Sequence, residues 1–184
     1  MRGLLWGALF VAGGVLAGAF SAYLVIQSAG VAPVMAGSPW LSRAAGIAGT
    51  WGFYVRSHYL IAGRLPPAPG QLMEATAETA SDGTALTTSC RYLLSAAEPL
   101  PRWWSIAAAE SGDGGNSRQA TADSDTVVRE SDGTVKIVAS LKPQPGNWLK
   151  TPDARHFTLL YSAIPAGGQR QAAPPPFTIV KEGC

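Results

Sequence analysis

A run of 23 residues without a charged side chain lies near the start of the chain, from Leu4 to Ile26. As an α-helix rising 1.5 Å per residue it would extend about 35 Å, and the hydrocarbon core of a bilayer is about 30 Å thick. Trp6 and Tyr23 lie near its two ends, where amphipathic rings favour the headgroup level. The run predicts one transmembrane helix, and we assign residues 1–27 to an anchor surrounded by membrane lipids.

The flanking charges predict the orientation of this helix. Arg2 and the terminal amine precede the run, and Arg43 is the next charged residue after it. The positive-inside rule then places the N-terminus in the cytoplasm. A cleaved signal peptide is the alternative, because Val34 to Ala36 offers small residues that a signal peptidase accepts. The run is longer than the 7 to 15 or so residues of a signal h-region, which favours a retained anchor. Both interpretations export the rest of the chain.

Small residues recur along one side of the predicted helix at Gly7, Gly14, Gly18 and Ser21. Spacings of seven, four and three place them on one stripe, and Gly14 and Gly18 form a Gly-x-x-x-Gly pair. Such a stripe lets a second transmembrane helix or a membrane-protein complex approach closely. The alternative is that Gly and Ala are simply frequent in membrane helices, so that a stripe of this kind arises by chance.

The remainder divides into a connecting segment and a folded domain. Residues 28–50 are rich in Gly, Ala, Ser and Pro and are predicted to be a linker or juxtamembrane segment. Residues 51–184 are predicted to form one exported β-rich domain. It begins with a short helix from Trp51 to Gly63, which ends at a glycine before Pro66.

Beyond Pro69, short segments of alternating polarity are separated by turn residues, as in antiparallel sheets. The fold class is therefore mainly β, a small antiparallel β-sandwich or jelly-roll-like domain. In the clearest predicted strand, Thr134–Leu141, Ser140 is expected to face water. Residues 111–125 read as a polar loop. The seven predicted strands are Met73–Ala80, Leu86–Ala96, Trp103–Ala109, Thr126–Glu130, Thr134–Leu141, His156–Ile164 and Phe177–Lys181.

The tetrapeptide Ser-Asp-Gly-Thr occurs twice, at Ser81–Thr84 and Ser131–Thr134, each time between predicted strands. Asp-Gly is a frequent centre of two-residue hairpin turns in which both central residues have positive φ. The repeat therefore predicts two tight hairpins of that type.

Six short segments stand out in order along the chain: Tyr59–Pro66, Asp82–Gly83, Cys90–Tyr92, Leu100–Ser105, Asp132–Gly133 and Gly146–Leu149. Together they resemble the bacterial domain of unknown function numbered 1214, often found beside a second such domain numbered 1254. The resemblance covers about residues 51–180. It implies a β-rich exported domain. Together with the predicted anchor, this gives a single-pass protein of the bacterial inner membrane with its C-terminal domain in the periplasm. It brings no established activity, cofactor or catalytic residue.

Cys90 and Cys184 are the two cysteines of the chain. An even count in an exported domain predicts a disulfide, which would fasten the C-terminal strand to a strand in the middle of the domain. The alternative is a cysteine nucleophile, which needs a nearby histidine to form the thiolate, and the chain offers only His58 and His156.

No pattern typical of a metal, cofactor or catalytic site is present, so we assign no residue to any of the three. His-x-His, Cys-x-x-Cys, Gly-x-Ser-x-Gly and phosphate-binding Gly-Lys motifs are absent from the sequence. Asp123, Asp125 and the segment 113–116 could offer oxygens to calcium, but they lack the distal Glu, and a solvated loop is the preferred interpretation. The net charge of +2 is scattered, which excludes nucleic acid as a partner.

The concentrated aromatic residues suggest a binding surface, to which we assign Arg102, Trp103, Trp104 and Trp148. Neighbouring residues on a strand point to opposite faces, so one of Trp103 and Trp104 enters the core and the other points outward. An outward Trp could stack a ligand or simply pack under a loop. We expect a non-enzymatic accessory or assembly subunit of a membrane complex. A binding module for an envelope lipid or glycan and an envelope enzyme with an unrecognised site are the alternatives.

Overall fold

The computed structural model of the chain describes residues 2–43, 52–61, 65–66, 71–112, 120–164 and 175–184. The chain forms two compact units. The helical unit comprises Met1–Val31 and Ala45–Pro66, and the β unit comprises Ala32–Ala44 and Pro67–Cys184.

The helical unit contains α1 (Arg2–Ser28) and α2 (Gly52–Ile61). α1 confirms the predicted long apolar helix, and its described side chains are exposed from Leu5 to Val25. α2 falls within the predicted helix, whose end residues, Trp51 and Gly63, lie outside the described residues. α2 buries one face, made of Gly52, Val55 and Tyr59.

The β unit contains ten strands among its described residues. They are β1 (Ala32–Pro33), β2 (Leu41–Ser42), β3 (Met73–Ala77), β4 (Arg91–Ala96), β5 (Trp103–Glu110), β6 (Ala120–Asp123), β7 (Val135–Ser140), β8 (Trp148–Lys150), β9 (Phe157–Ile164) and β10 (Thr178–Gly183). One sheet has the order β1-β2-β3-β9-β5-β6, and the other has the order β10-β4-β7-β8. All neighbours are antiparallel except β7 and β8, which are parallel.

The core lies between the two sheets. Alternate residues of β4 and β7 from one sheet, and of β5 and β9 from the other, form one buried apolar cluster. The rings of Tyr92 and Phe157, from opposite sheets, are 5.7 Å apart between centroids. The mainly β, mostly antiparallel fold with two sheets that the alternation predicts is thus confirmed.

The segment predicted to be a linker contributes to the β unit. β1 pairs with β2, and Leu41 of β2 pairs with Thr76 of β3. Trp40, just before β2, is 1% exposed, and its indole N–H donates to the backbone carbonyl of Phe177 at 2.7 Å. Strands of two residues are too short to show an alternating pattern, so the sequence does not predict β1 and β2.

Residues 126–130 do not form the predicted strand; Arg129 makes one isolated bridge to Val135. The reason is the side chain of Asn147, which takes the place of a neighbouring strand. Its amide accepts from the N–H of Val128 at 2.7 Å and donates to the carbonyls of Val128 and Lys136 at 2.7 and 2.8 Å. β6 instead forms within the predicted polar loop, and β8 follows directly after Asn147.

Both Ser-Asp-Gly-Thr segments form tight turns, but not of the predicted type. Only the glycines have positive φ, 84° at Gly83 and 82° at Gly133. The N–H of Gly83 donates to the carbonyl of Ala80 at 2.9 Å, and the N–H of Ala80 donates to the carbonyl of Thr84 at 2.7 Å. This is the three-residue hairpin in which a type I turn is followed by a left-handed glycine.

Ser140 is buried in the β unit, although we expected it to face water. Its hydroxyl donates to the backbone carbonyl of Lys142 at 2.7 Å, which satisfies the buried oxygen.

Candidate functional site

The adjacent tryptophans of β5 lie on opposite faces of the larger sheet. Trp104 pairs with Ala163 of β9 and is completely buried between the sheets. Trp103 pairs with Ile164 and is half-buried on the other face, where Ile164 is 50% exposed. Arg102, just before the strand, is exposed. Trp103 and Ile164 therefore mark one end of the outer face of this sheet, and Arg102 lies just before β5 in the chain.

Trp148 lies in the smaller sheet, at the start of β8, opposite Val138 of β7. Its indole N–H donates to the backbone carbonyl of Ser140 at 3.1 Å, and the ring is half-buried. The four residues assigned to a binding surface therefore do not lie together. Trp104 is in the core, Trp103 is on the larger sheet, Trp148 is on the smaller sheet, and Arg102 precedes β5 in the chain.

A second buried cluster lies on the outer face of the larger sheet, and the sequence reasoning missed it. It consists of Ala107, Ala109 and Leu160. The available signal was the uninterrupted apolar run from Ile106 to Ala109, since a strand covered on both faces loses its alternation.

The disulfide is present between Cys90 and Cys184, with an S–S distance of 2.07 Å. It lies at the end of the β4–β10 pair, where Gly183 is opposite Arg91. The hydroxyl of Thr87 donates to Cys90 Sγ at 3.1 Å. The guanidinium of Arg91 donates to the carboxylate of Glu182 at 2.9 Å. Because both cysteines are bridged, neither provides a thiolate for the alternative of nucleophilic catalysis.

Residues that carry the motifs have structural roles. The phenol of Tyr92 accepts from the N–H of Thr87 at 3.0 Å and donates to the carbonyl of Ala85 at 3.2 Å. Asn147 connects residues 126–130 to β7, as described above, and Leu149 is completely buried. These contacts give Tyr92, Asn147 and Leu149 structural roles in the β unit.

Three carboxylates, those of Asp82, Asp123 and Asp132, also have structural roles. The hydroxyl of Thr84, and then its backbone N–H, hold the pKa of Asp82 below its usual range. The backbone N–H of Thr134, and then its hydroxyl, do the same for the pKa of Asp132. The carboxylate of Asp123, considered above for calcium, accepts the backbone N–H groups of Asp125 and Thr126, both at 3.0 Å. These carboxylates stabilise turns.

The described part of the chain contains no group of three His, Cys, Asp or Glu residues placed to hold a metal ion. The segment 113–116, the other candidate for calcium, lies outside the described residues.

Burial raises the pKa of Tyr161 well above its usual range. Its hydroxyl and the indole N–H of Trp104 are buried without a hydrogen-bond partner in the described structure. Both rings contact Phe177, with centroid distances of 6.1 and 4.8 Å. The core is therefore tightly aromatic at this point, and its two polar atoms are retained without a bond.

Among the described residues one helix segment, Leu5–Ser28 with 24 residues, is long and apolar enough to cross a membrane. A signal sequence near an N-terminus meets the same criterion. Gly7, Gly14 and Gly18 lie on α1, and a Cβ atom added at any of them would meet nothing within 4 Å. Ser21 donates its hydroxyl back to the carbonyl of Gly18 at 2.9 Å. The small-residue stripe thus lies on exposed helix surface.

Comparison with known proteins gives a family and a fold. The model of a family described as "Protein of unknown function (DUF1214)" matches residues 71–164, within the range of the resemblance. No curated protein matches.

Two crystal structures of bacterial proteins are similar to the chain. The VPA0106 protein from Vibrio parahaemolyticus is 18% identical, with a TM-score of 0.55 over 91% of this chain and 44% of its own. An uncharacterized protein from Burkholderia cenocepacia is 20% identical, with a TM-score of 0.49 over 62% of this chain and 30% of its own. The chain therefore spans less than half the length of either protein, and the Vibrio structure shows the fold alone.

Proposed function

We propose, from the premise that this chain belongs to the DUF1214 family, that it is a single-pass inner-membrane protein. Its β unit lies in the periplasm and acts as a non-enzymatic accessory or assembly subunit of a larger membrane complex. Residues 1–27 serve as the anchor, and the exported part follows it, with β1 and β2 of the segment 28–50 already belonging to the β unit.

The observation that carries this proposal is the exposure of α1. Its apolar side chains are exposed, with Leu9 at 62%, Phe10 at 76% and Leu16 at 71%. Leaving apolar surface in water costs about 25 cal/mol per Å², and a soluble helix of this length would bury at least one face. A bilayer supplies the missing apolar environment around the whole helix.

The disulfide supports export. Disulfides persist in oxidising compartments such as the bacterial periplasm and are rare in the cytosol. The bridge joins residues 94 positions apart and links the end of β10 to the start of β4, so it is a structural element of the β unit. An anchor at one end and a bridge in the folded part together favour an N-terminus in the cytoplasm and a domain in the periplasm.

Two observations support the proposed accessory role. Residues of the family motifs hold turns, strands and the disulfide, and the small-residue stripe on α1 is open to a partner helix. A protein of this kind acts by holding a partner in the membrane and presenting a rigid domain on the outer side.

Topology is tested with a reporter fused after Cys184 that is active only in an oxidising compartment. We expect the reporter to be active. We also expect the protein to stay in the membrane fraction after alkaline washing and to have the mass of the full-length chain. Reporter activity restricted to the cytoplasm would refute the orientation, and loss of the first 36 or so residues would show a cleaved signal sequence instead.

The partner is tested by native extraction in mild detergent. We expect co-migration with a larger assembly that Gly14→Leu and Gly18→Leu weaken. The matched control is Gly13→Leu, which lies about 100° around the helix from Gly14 and is equally open. Equal effects of all three substitutions, or no effect of any, would reject a partner on the stripe.

A binding module for an envelope lipid or glycan is the second candidate. What favours it is the pair formed by half-buried Trp103 and exposed Ile164 beside Arg102. If it is correct, native extraction yields a monomer carrying a small molecule, which Trp103→Ala loses while the β unit keeps its fold.

A further inference from the structure

α2 has two contrasting faces. Val55 and Tyr59 are buried on one side, whereas Phe53, Leu60 and Ile61 on the other side are 77%, 66% and 59% exposed. Residues 53, 57, 60 and 61 share one side of a helix with 3.6 residues per turn. The described helix therefore presents a stripe of large apolar side chains outward, in addition to the face that it buries. We call Phe53, Leu60 and Ile61 the outer stripe of α2.

The outer stripe belongs to the same compact unit as α1, and the two helices are in contact. The described side chains of α1 are exposed from Leu5 to Val25, and the first with intermediate exposure are Ile26 and Gln27. The contact therefore lies at or near the C-terminal end of α1. If Leu5–Ser28 crosses a hydrocarbon core of about 30 Å, that end reaches the headgroup region, and α2 is held there with it.

The charge of the helical unit is complementary to anionic headgroups. All 12 acidic residues of the chain lie at Glu74 or beyond, so neither segment of the helical unit contains one. Its charged residues are Arg2, Arg56 and Arg64. Arg56 is exposed and lies about 60° around α2 from Phe53, at the edge of the outer stripe.

An apolar stripe bordered by arginine on a helix is the pattern of helices that lie in a membrane interface. A second protein chain would also cover apolar surface, but the absence of acids from the unit and its contact with a membrane-length helix favour lipid.

We infer that α2 is an interfacial helix that lies against the outer surface of an anionic bilayer, with Phe53, Leu60 and Ile61 inserted among the acyl chains. Arg56 binds the lipid phosphates at the level of the headgroups. This inference rests on the proposed membrane anchoring by α1. It adds a second membrane contact beyond α1. The chain then runs along the bilayer surface at α2 before it returns to the β unit.

The test uses the full chain in nanodiscs that contain phosphatidylglycerol, with one nitroxide label per variant. Leu60→Cys places the label on the outer stripe. Val128→Cys is the control, because Val128 is also a largely exposed apolar residue, 75% against 66% for Leu60, and belongs to the β unit. Val15→Cys reports on α1. Both native cysteines are bridged, so each variant offers one free thiol for labelling.

Collision of the label with oxygen, which partitions into lipid, is compared with collision with a water-soluble nickel chelate. We expect oxygen to dominate several-fold at Leu60 and Val15 and nickel to dominate at Val128. The oxygen preference at Leu60 should decrease in nanodiscs of purely zwitterionic lipid.

The outcomes separate the two claims. A lipid signal at Val15 with an aqueous signal at Leu60 would overturn the interfacial helix and leave the anchor intact. Aqueous signals at both positions would overturn the anchoring as well. A label at Leu60 shielded from both reagents would show a protein contact, and spin–spin broadening would identify it as a second copy.

Discussion

The two units of this chain treat apolar side chains in opposite ways. In the β unit, Ile106, Leu149 and Leu159 are completely buried between two sheets. In the helical unit, Leu16 is 71% exposed and Phe53 is 77% exposed. The β unit therefore supplies its own apolar environment, whereas the helical unit needs one from outside. Residue type alone does not distinguish the two cases; the period of the pattern and the neighbouring charges do.

The disulfide gives the largest expected difference between the units. Cys184→Ser should lower the free energy of unfolding of the β unit by about 4 kcal/mol, because the bridge closes a loop of more than 90 residues. Membrane association through α1 should not change. Chemical denaturation followed by tryptophan fluorescence measures the first effect, and membrane flotation measures the second.

The same bridge can be checked without a mutation. Protein purified without reductant should show no titratable thiol when denatured. Two thiols under these conditions would contradict the bridge and remove the reason for the expected loss of stability.

One substitution made in both units tests the contrast directly. Leu159→Ala removes a completely buried side chain and should destabilise the β unit by about 2 to 5 kcal/mol. Leu16→Ala removes an exposed side chain of α1 and should leave the unfolding midpoint of the β unit unchanged. A comparable loss in both variants would mean that α1 packs on the β unit in solution, and the contrast would be wrong.

Glycine should show a smaller contrast. Gly83 has φ of +84°, so Gly83→Ala places a side chain in the left-handed region and should cost about 1 to 2 kcal/mol. Gly14 is helical, with nothing within 4 Å of an added Cβ, so Gly14→Ala should preserve α1 and its insertion. Thermal unfolding and membrane flotation of both variants test this. A neutral Gly83→Ala would argue against the glycine turn.

How much the sequence predicts depends on the length of each pattern. The helix from Leu4 to Ile26 is recognisable from the length of its uncharged run and the strand Thr134 to Leu141 from its alternation, and the structure contains both. β1, β2 and β8 have two or three residues each, too few for a period. They exist because tertiary contacts hold them, for example the indole of Trp40 on the carbonyl of Phe177.

The candidate surface shows a similar limit. The alternation of a strand predicts that Trp103 and Trp104 point to opposite faces, but not which of them is buried, because that depends on where the second sheet lies. The sequence did not predict that Trp148 lies in a sheet. The short strand β8 is parallel to β7, and Asn147, just before β8, binds β7 through its side chain. Local sequence carries no signal for such a contact.

The smallest expected contrast is in the response to acid. Asp82 accepts the N–H and hydroxyl of Thr84 at 2.9 and 2.7 Å, and Asp132 accepts the N–H of Thr134 at 2.9 Å. Both carboxylates are exposed, and hydrogen bonds to their charged form lower their pKa below the usual value of 3.8. The folded state therefore holds fewer protons than the unfolded state near this pH. The resulting stabilisation is present in full above about pH 4 and is lost as the pH falls through the lowered pKa.

We expect Asp82→Asn with Asp132→Asn to lower the stability of the β unit slightly at pH 5, with a difference from the native chain that shrinks at pH 3. Denaturation curves at both values measure it, and subtraction of the two proteins cancels the other titrating groups. The helical unit has no acidic residue, so its helix content in detergent should not change between these values. A difference that grows towards pH 3 would mean that the unfolded chain, and not the turn, holds these carboxylates in their charged form.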